Sequence, residues 1–310
     1  MNKQNHNLTC TVIVTTFYAG NKLDTCLNSI PYNFKIVVID NGNEIKNKNI
    51  YEKKYSNLIY VTPGENLGIP RSYNYALQFV STKYLFQIQP DVILKKNCIE
   101  NLILAAKKYP NAAILSPIVY NDSLYEELEN IRILKFNKKK KLKKARIKKN
   151  LAFSLTPNGD LSVDAITATA MFIDVEKLRM INGWDNNIFA YYDDIDLCLR
   201  FKILGFEIIK IKNSEVNHEG FSSHSKEFHQ EMDYSRNFHY SWSKIYFLKK
   251  HSSSLKGNLE AITLSFIYLI KLLFYFIKKK EKYLVYKSKF LGNFSSLIGV
   301  KAYYRPKILL

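Results

Sequence analysis

Residues 35–43 read KIVVIDNGN: four apolar positions in a row, Ile36 to Ile39, closed by Asp40-Asn41-Gly42. A strand built from such a run has no polar face, so it must be covered on both sides. The same signature recurs at TVIVTTF (11–17), NLIYVTP (57–63), KYLFQIQPDV (83–92) and AAILSPIVY (112–120). Helical spacing fills the gaps. KLDTCLNSI (22–30) repeats at Leu23, Cys26, Leu27 and Ile30, IPRSYNYALQFV (69–80) carries Pro70 in a first turn, and CIENLILAAKKYP (98–110) ends before Pro110. Buried strands alternating with helices predict an α/β domain: a mostly parallel central sheet with helices on both faces. Ligands of such sheets bind beyond the carboxyl ends of the strands. Those ends offer Thr15, Thr16 and Tyr18, then Asp40 and Asn41, then Gln89-Pro90-Asp91. Neither GxGxxG nor GxxxxGK[ST] occurs, so the dinucleotide fingerprint and the P-loop are both absent.

Further on, LSVDAITATAMFIDVEKL (161–178) reads as strand, small-residue turn and strand. It is followed by YYDDIDLCLRF (191–201). That stretch sets Asp193, Asp194 and Asp196 together in a chain of 46 basic and 27 acidic residues, net charge +19. Ile195, Cys198, Leu199 and Ile203 mark one buried helical face, which Gly205 ends. Asp193 or Asp194 is expected to cap the first turn, and Asp196 to pair with Arg200 four residues on. A third crowded carboxylate calls for a cation or a proton-transfer role. FEIIKI (206–211) then reads as a strand leading to His218.

With 47% hydrophobic residues in 310, the chain can bury a full core. Cys10, Cys26, Cys98 and Cys198 show no CxxC spacing and read as buried thiols in a reducing compartment. The first residues, MNKQNHNLTCTVIVTTF, have no signal-peptide pattern, so a cytoplasmic start is expected. Positive charge is concentrated at KFNKKKKLKKARIKK (135–149), ten Lys or Arg without an acid. AITLSFIYLIKLLFYFI (261–277), followed by lysines, reads as a helix lying in a membrane interface. RNFHYSWSKIYFLKKH (236–251) mixes aromatics with bases, as nucleic-acid binders do, but no nucleic-acid module accompanies it. An anionic membrane surface is therefore the expected partner, and nucleic acid is not.

The ordered set VIVTTF, VVIDNGN, ENLGIPRSYNYAL, QPDV, NGWDNNIFAYYDDIDLCLRFKILGF and VNHEGFSS resembles the inverting glycosyltransferases of family 2, over roughly residues 8–225. Within that family it is most similar to the bacterial rhamnosyltransferase-like branch that builds surface polysaccharides. The resemblance implies a GT-A fold, set over residues 8–235 with 135–150 as a basic loop; beyond that the pattern itself turns helical, aromatic and basic, a membrane-associating region over 236–310. It implies a nucleotide-diphospho-sugar donor, a lipid-linked glycan or polysaccharide acceptor, and Mg²⁺ or Mn²⁺. Carried over residue by residue, Thr15, Thr16, Tyr18, Asp40, Asn66, Gly68, Arg71, Asn74 and Gln89 would line the nucleotide-sugar site. Asp91 and His218 would bind the metal, and Asp194 would be the catalytic base with Asp193 beside it. Trp184 and Asp185 are candidate acceptor contacts, with a core position and a turn cap as their alternatives. Gln89 stands where the family commonly has Asn or Asp, and Asp193 where it commonly has Glu. The expected activity is inverting transfer of a sugar, with L-rhamnose from dTDP-rhamnose the first choice, on the inner face of the cell membrane. Another donor, a UDP-hexose or galactofuranose, or a non-catalytic partner subunit that binds nucleotide sugar, are the alternatives.

Overall fold

The computed structural model describes residues 9–121, 135–136, 142–144, 159–219, 229–278 and 280–306. The rest of the basic 135–150 segment lies outside the described residues. The chain opens with β1 (Cys10–Thr16), α1 (Asn21–Ser29), β2 (Lys35–Asp40), α2 (Ile45–Lys54), β3 (Leu58–Val61), α3 (Ile69–Ala76, extended by a 3₁₀ turn) and β4 (Tyr84–Ile88). It continues through β5 (Val92–Leu94), α4 (Cys98–Lys108), β6 (Ala112–Asn121) and a small ribbon of β7 (Lys135–Phe136) and β8 (Leu142–Lys144). After β9 (Leu161–Ser162) come β10 (Ala170–Asp174), α5 (Val175–Met180), α6 (Asp193–Ile203) and β11 (Glu207–His218). Helices α7 (His229–His251), α8 (Ser254–Lys278) and α9 (Lys280–Leu297) complete it.

The main sheet has the order β3-β2-β1-β4-β10-β6-β11-β5, with β9 on β11. Strands β1 to β4 are mutually parallel, as the alternating pattern predicts. The second half of the sheet is mixed. Strand β10 enters antiparallel between β4 and β6, and β5 and β9 run antiparallel to β11. An apolar run such as that of β10 is buried in either orientation, so its pattern sets burial and not direction.

Period-2 alternation splits the core into two layers. Cys10, Val12 and Val14 of β1 face α1 and α4, where they meet Leu23, Cys26, Leu27, Ile99 and Leu102. Ile13 faces the opposite layer with Tyr73 of α3, Trp184, and Leu197 and Cys198 of α6. All four cysteines are free and buried. Helix α2 escapes sequence reading because Tyr51 is its one buried residue, stacked 5.6 Å from Tyr60.

The C-terminal helices pack against this domain. Helix α7 begins at His229 and runs unbroken through the expected boundary at 235. Helix α9 returns antiparallel along α8: Asn293 donates to the Ala261 carbonyl and Ser265, and Tyr286 stacks 5.4 Å from Tyr275. Where α9 crosses α7, a Cβ on Gly292 would stand 2.2 Å from the Phe238 carbonyl oxygen, so that crossing admits only glycine. The Lys249 ammonium caps the end of α9 on the Ser296 and Leu297 carbonyls at 2.6 and 3.0 Å.

Phe172, 1% exposed, sits at the centre of β10 with its ring 4.9 Å from Tyr84 and 6.2 Å from Phe86. Phe172→Ala is expected to cost about 3–5 kcal/mol in denaturant unfolding and Phe172→Leu distinctly less, because the cavity left by a phenyl ring does not collapse.

Candidate active site

One edge of the sheet gathers most of the expected residues. The carboxyl ends of β1, β2, β4, β6 and β11 lie there, since Thr16 pairs with Asp40 and His218 with both Asn121 and Val92. The amino end of β10 joins them where the Gln89 amide donates to the Thr169 carbonyl.

At the β2 end, Asp40 is fully buried and holds its own loop. Its carboxylate accepts the amides of Gly42 and Glu44, each at 2.8 Å, and the Tyr60 hydroxyl at 3.0 Å. Burial raises its pKa despite those donors. Tyr18 closes over this loop, donating to the Gly42 carbonyl at 3.1 Å. Asp40 is thus a loop anchor first, and its accessible edge is smaller than the sequence suggests. Asn41 proves more connective than expected: its side-chain Oδ1 accepts from the Leu67 amide at 2.9 Å and the Ser72 hydroxyl at 3.0 Å, tying β2 to α3.

The 65–74 segment forms the next wall. Asn66 receives the Gly68 amide at 3.0 Å, an Asx turn. Gly68 has φ +74°, and a Cβ there would stand 2.4 Å from the Phe189 ring, so both conformation and space require glycine. The Arg71 guanidinium pairs with Glu65 at 2.8 Å, near the surface. Asn74 is a staple rather than a sugar contact: its side chain accepts the Trp184 amide at 2.9 Å and donates to the Trp184 carbonyl at 2.8 Å.

Asp91 is 2% exposed, and His218 Nε2 lies 3.6 Å from its Oδ1. The Glu219 amide donates to the Asp91 carbonyl, so the β4–β5 turn and the end of β11 are sewn together. Among the described residues, no group of three or more His, Cys, Asp or Glu side chains is placed to hold a metal. The donor set here is one carboxylate and one imidazole. Such a pair suits Mg²⁺ or Mn²⁺, which keep waters and take further oxygens from phosphates.

The acidic segment answers a different part of the design. Tyr191 and Tyr192 both have φ +64°, two consecutive left-handed non-glycine residues, each costing about 1–3 kcal/mol. They turn the chain into α6, whose N-cap is Tyr192 without a side-chain bond. The expected aspartate cap is therefore displaced inward: Asp194 accepts the Ile195 amide at 2.8 Å inside the first turn. Asp193 and Asp194 are both buried. Asp193 approaches Tyr73, whose pKa is raised by burial and by that charge, and Tyr73 receives the Thr15 hydroxyl at 3.5 Å. This links the acid pair to the end of β1.

Asp196 is 0% exposed and takes three side-chain partners: Arg200 Nε at 2.8 Å, Lys250 Nζ at 2.6 Å and His251 Nε2 at 2.6 Å. Burial alone would raise its pKa, but the His251 bond and the charges of Arg200 and Lys250 lower it to about 2. The pairing with Arg200 matches the i, i+4 spacing. Lys250 and His251 carry no sequence signal, since they lie 54 and 55 residues away at the end of an aromatic helix. Asp185 belongs to the same network, accepting from Lys250 at 2.6 Å and Tyr246 at 2.8 Å. Trp184 is 2% exposed with its ring 5.0 Å from Tyr73, so it fills the core instead of facing an acceptor sugar.

Residues 11–163 match the family model described as Glycosyl transferase family 2. Rhamnosyltransferase WbbL of Escherichia coli (strain K12) is 26% identical over 204 residues, which span 60% of this chain and 73% of that protein. Among solved structures, mannosyltransferase PcManGT from Pyrobaculum calidifontis in complex with GDP-Man and Mn²⁺ superposes with a TM-score of 0.54 at 12% identity, over 93% of this chain and 86% of that one. GalNAc-T7 with UDP, GalNAc and Mn²⁺ gives a TM-score of 0.52, also at 12% identity. It matches 70% of this chain, which spans only 44% of that protein. At this identity the two structures establish the GT-A fold and no chemistry.

Because the folded pKa of Asp196 is depressed from 3.8 to about 2, its contribution to stability is complete above about pH 4 and fades as pH falls toward 2. Urea titrations at the two ends of that window are expected to show about 2 kcal/mol from this group, and Asp196→Asn is expected to lack that component.

Proposed function

From a chain that is a family 2 glycosyltransferase, we infer an inverting enzyme that moves L-rhamnose from dTDP-rhamnose to a lipid-linked glycan or polysaccharide acceptor at the cytoplasmic face of the cell membrane. The observation that carries the reading is the buried pair Asp193–Asp194, set beside the ends of the parallel strands while Arg200, Lys250 and His251 bind Asp196. The rhamnosyl choice leans on the E. coli relative's activity.

Inversion at an anomeric carbon takes a single displacement, so a carboxylate must remove the acceptor hydroxyl's proton on the face opposite the leaving group. Asp194 suits that role. It sits in a helix first turn and keeps one oxygen on the Ile195 amide, which fixes the carboxylate's orientation. Asp193 would orient the acceptor or share its charge. Asp91 and His218 would hold Mg²⁺ or Mn²⁺, whose chemistry is to neutralise charge on a departing diphosphate. Thr15, Thr16, Tyr18, Gln89 and the Asn66–Gly68 turn would line the nucleotide, with Asp40 supporting its loop. Arg71 would meet ribose or phosphate on leaving Glu65.

The membrane assignment is supported by α8, the one helix among the described residues long and apolar enough to cross a bilayer, with almost none of that stretch buried. Phe266, Ile270, Leu273, Phe274, Phe276 and Ile277 are all exposed. Its neighbour α9 carries Lys282, Lys287 and Lys289 alongside it. Spanning would drag those charges into hydrocarbon, so the hairpin fits a helix lying in the interface with lysines on anionic headgroups.

Purified protein is expected to release nucleotide from dTDP-rhamnose, and not from UDP-, GDP- or CMP-sugars, with Mn²⁺ and not with EDTA. Release from another donor would reassign the sugar, and release from none would overturn the enzyme reading. In the same assay Asp194→Asn should lose about 10²–10⁴-fold in kcat with an unchanged melting point. Vesicles containing anionic lipid should co-sediment the protein more strongly than neutral ones, with binding that salt weakens. Equal partition to both would remove the charge argument.

A further inference from the structure

We infer that helix α7 positions the catalytic turn, with Lys250 and Tyr240 acting as positioning residues that aim Asp194 without touching either substrate. The inference rests on Asp194 being the base. It goes beyond that reading by making the acid pair dependent on a helix of the C-terminal region, outside the segment that matches the family model.

Two left-handed tyrosines persist only where their surroundings over-determine them. Here those surroundings are α7. The Ser243 hydroxyl donates to the Ala190 carbonyl at 2.8 Å. The Tyr240 ring lies 5.8 Å from Tyr191 and 5.5 Å from Tyr192, and Phe247 lies 5.4 Å from Tyr192. One turn further along, Lys250 binds Asp196 and Asp185 together, both at 2.6 Å, and His251 binds Asp196. The contacts thus hold the turn from before and after the acid pair. Asp196 lies two residues beyond Asp194 on the same first turn, so fixing its carboxylate fixes the rotation of α6 and the direction of Asp194. Arg200 cannot do this alone. It rises from α6 itself, and its Nη1 donates to the Ile181 and Gly183 carbonyls. Lys250 comes from a different element and ties the two together.

The donor half of the site is built elsewhere, from the ends of β1, β2 and β4. Loosening α7 should therefore leave donor binding alone and misaim the base, and misplacement by about 1 Å is enough to cost on the order of 10²-fold. Charge and geometry are separable at Lys250, because arginine keeps the bridge and methionine keeps only the stem. Tyr240 is 44% exposed, so its truncation tests the same turn with less risk to folding than a core change.

The experiment compares wild type, Asp194→Asn, Lys250→Met, Lys250→Arg and Tyr240→Ala in the full chain, by donor KM, kcat and melting, well below the lowest melting midpoint. Lys250→Met and Tyr240→Ala are expected to lose about tenfold to a hundredfold in kcat with donor KM within about twofold, and Lys250→Arg to recover most of it. Wild-type kcat in both truncations, a loss confined to donor KM, or no recovery with arginine would each overturn the positioning role. Full activity in Asp194→Asn would instead sink the base assignment, whatever the α7 variants do.

Discussion

A carboxylate with no exposure must be matched by hydrogen-bond donors or cations; Asp40 meets that demand with amides and a hydroxyl, and Asp196 meets it with side chains from two helices. Its partners come from within α6, through Arg200, and from the last turn of α7, through Lys250 and His251. Losing one partner leaves buried charge less compensated, which costs far more than the pair contributes on paper. So α6, the 181–185 loop and α7 are obliged to assemble together. The basic composition of the chain has at least one specific use here, because the helix end that reaches Asp196 reads Lys249-Lys250-His251.

The candidate site divides into two halves built on different principles. The side proposed for the donor is made of strand ends whose positions are set by the parallel ladder and by loop bonds such as Asp40 to Gly42 and Asn41 to Leu67. The acid side is made of a strained turn and a helix start, held by packing from a third element. The family model covers residues 11–163, which includes the first half and stops before the second. The acid turn is held by contacts from residues that lie 48 to 55 positions away in the chain.

Much of this was legible in the residues. Runs such as Ile36–Ile39 have one stable environment, and the spacing of Leu23, Cys26 and Leu27 admits one helical face. The Asp196–Arg200 pair follows from helical spacing alone. Strand direction did not follow, because a run such as Ala170–Asp174 looks the same in either orientation. Helix α2 was hidden because its surface is polar all round apart from Tyr51. Trp184 illustrates the ambiguity of large aromatics, which suit a sugar-stacking face and a core equally well in sequence. Asn74 was expected at the nucleotide sugar on the resemblance alone, and no residue pattern announces its bonds to residues 110 positions away. Here it faces the backbone of Trp184.

Helices α7 and α8 are joined by Ser252 and Ser253 alone. Even fully extended, that connector allows roughly 11 Å between the Cα atoms of His251 and Ser254, three steps of 3.8 Å. There is accordingly almost no slack between the ring that bonds Asp196 and the first turn of the apolar helix. Any larger excursion of α8 has to pull on the end of α7, so the two behave as a bolt and its handle.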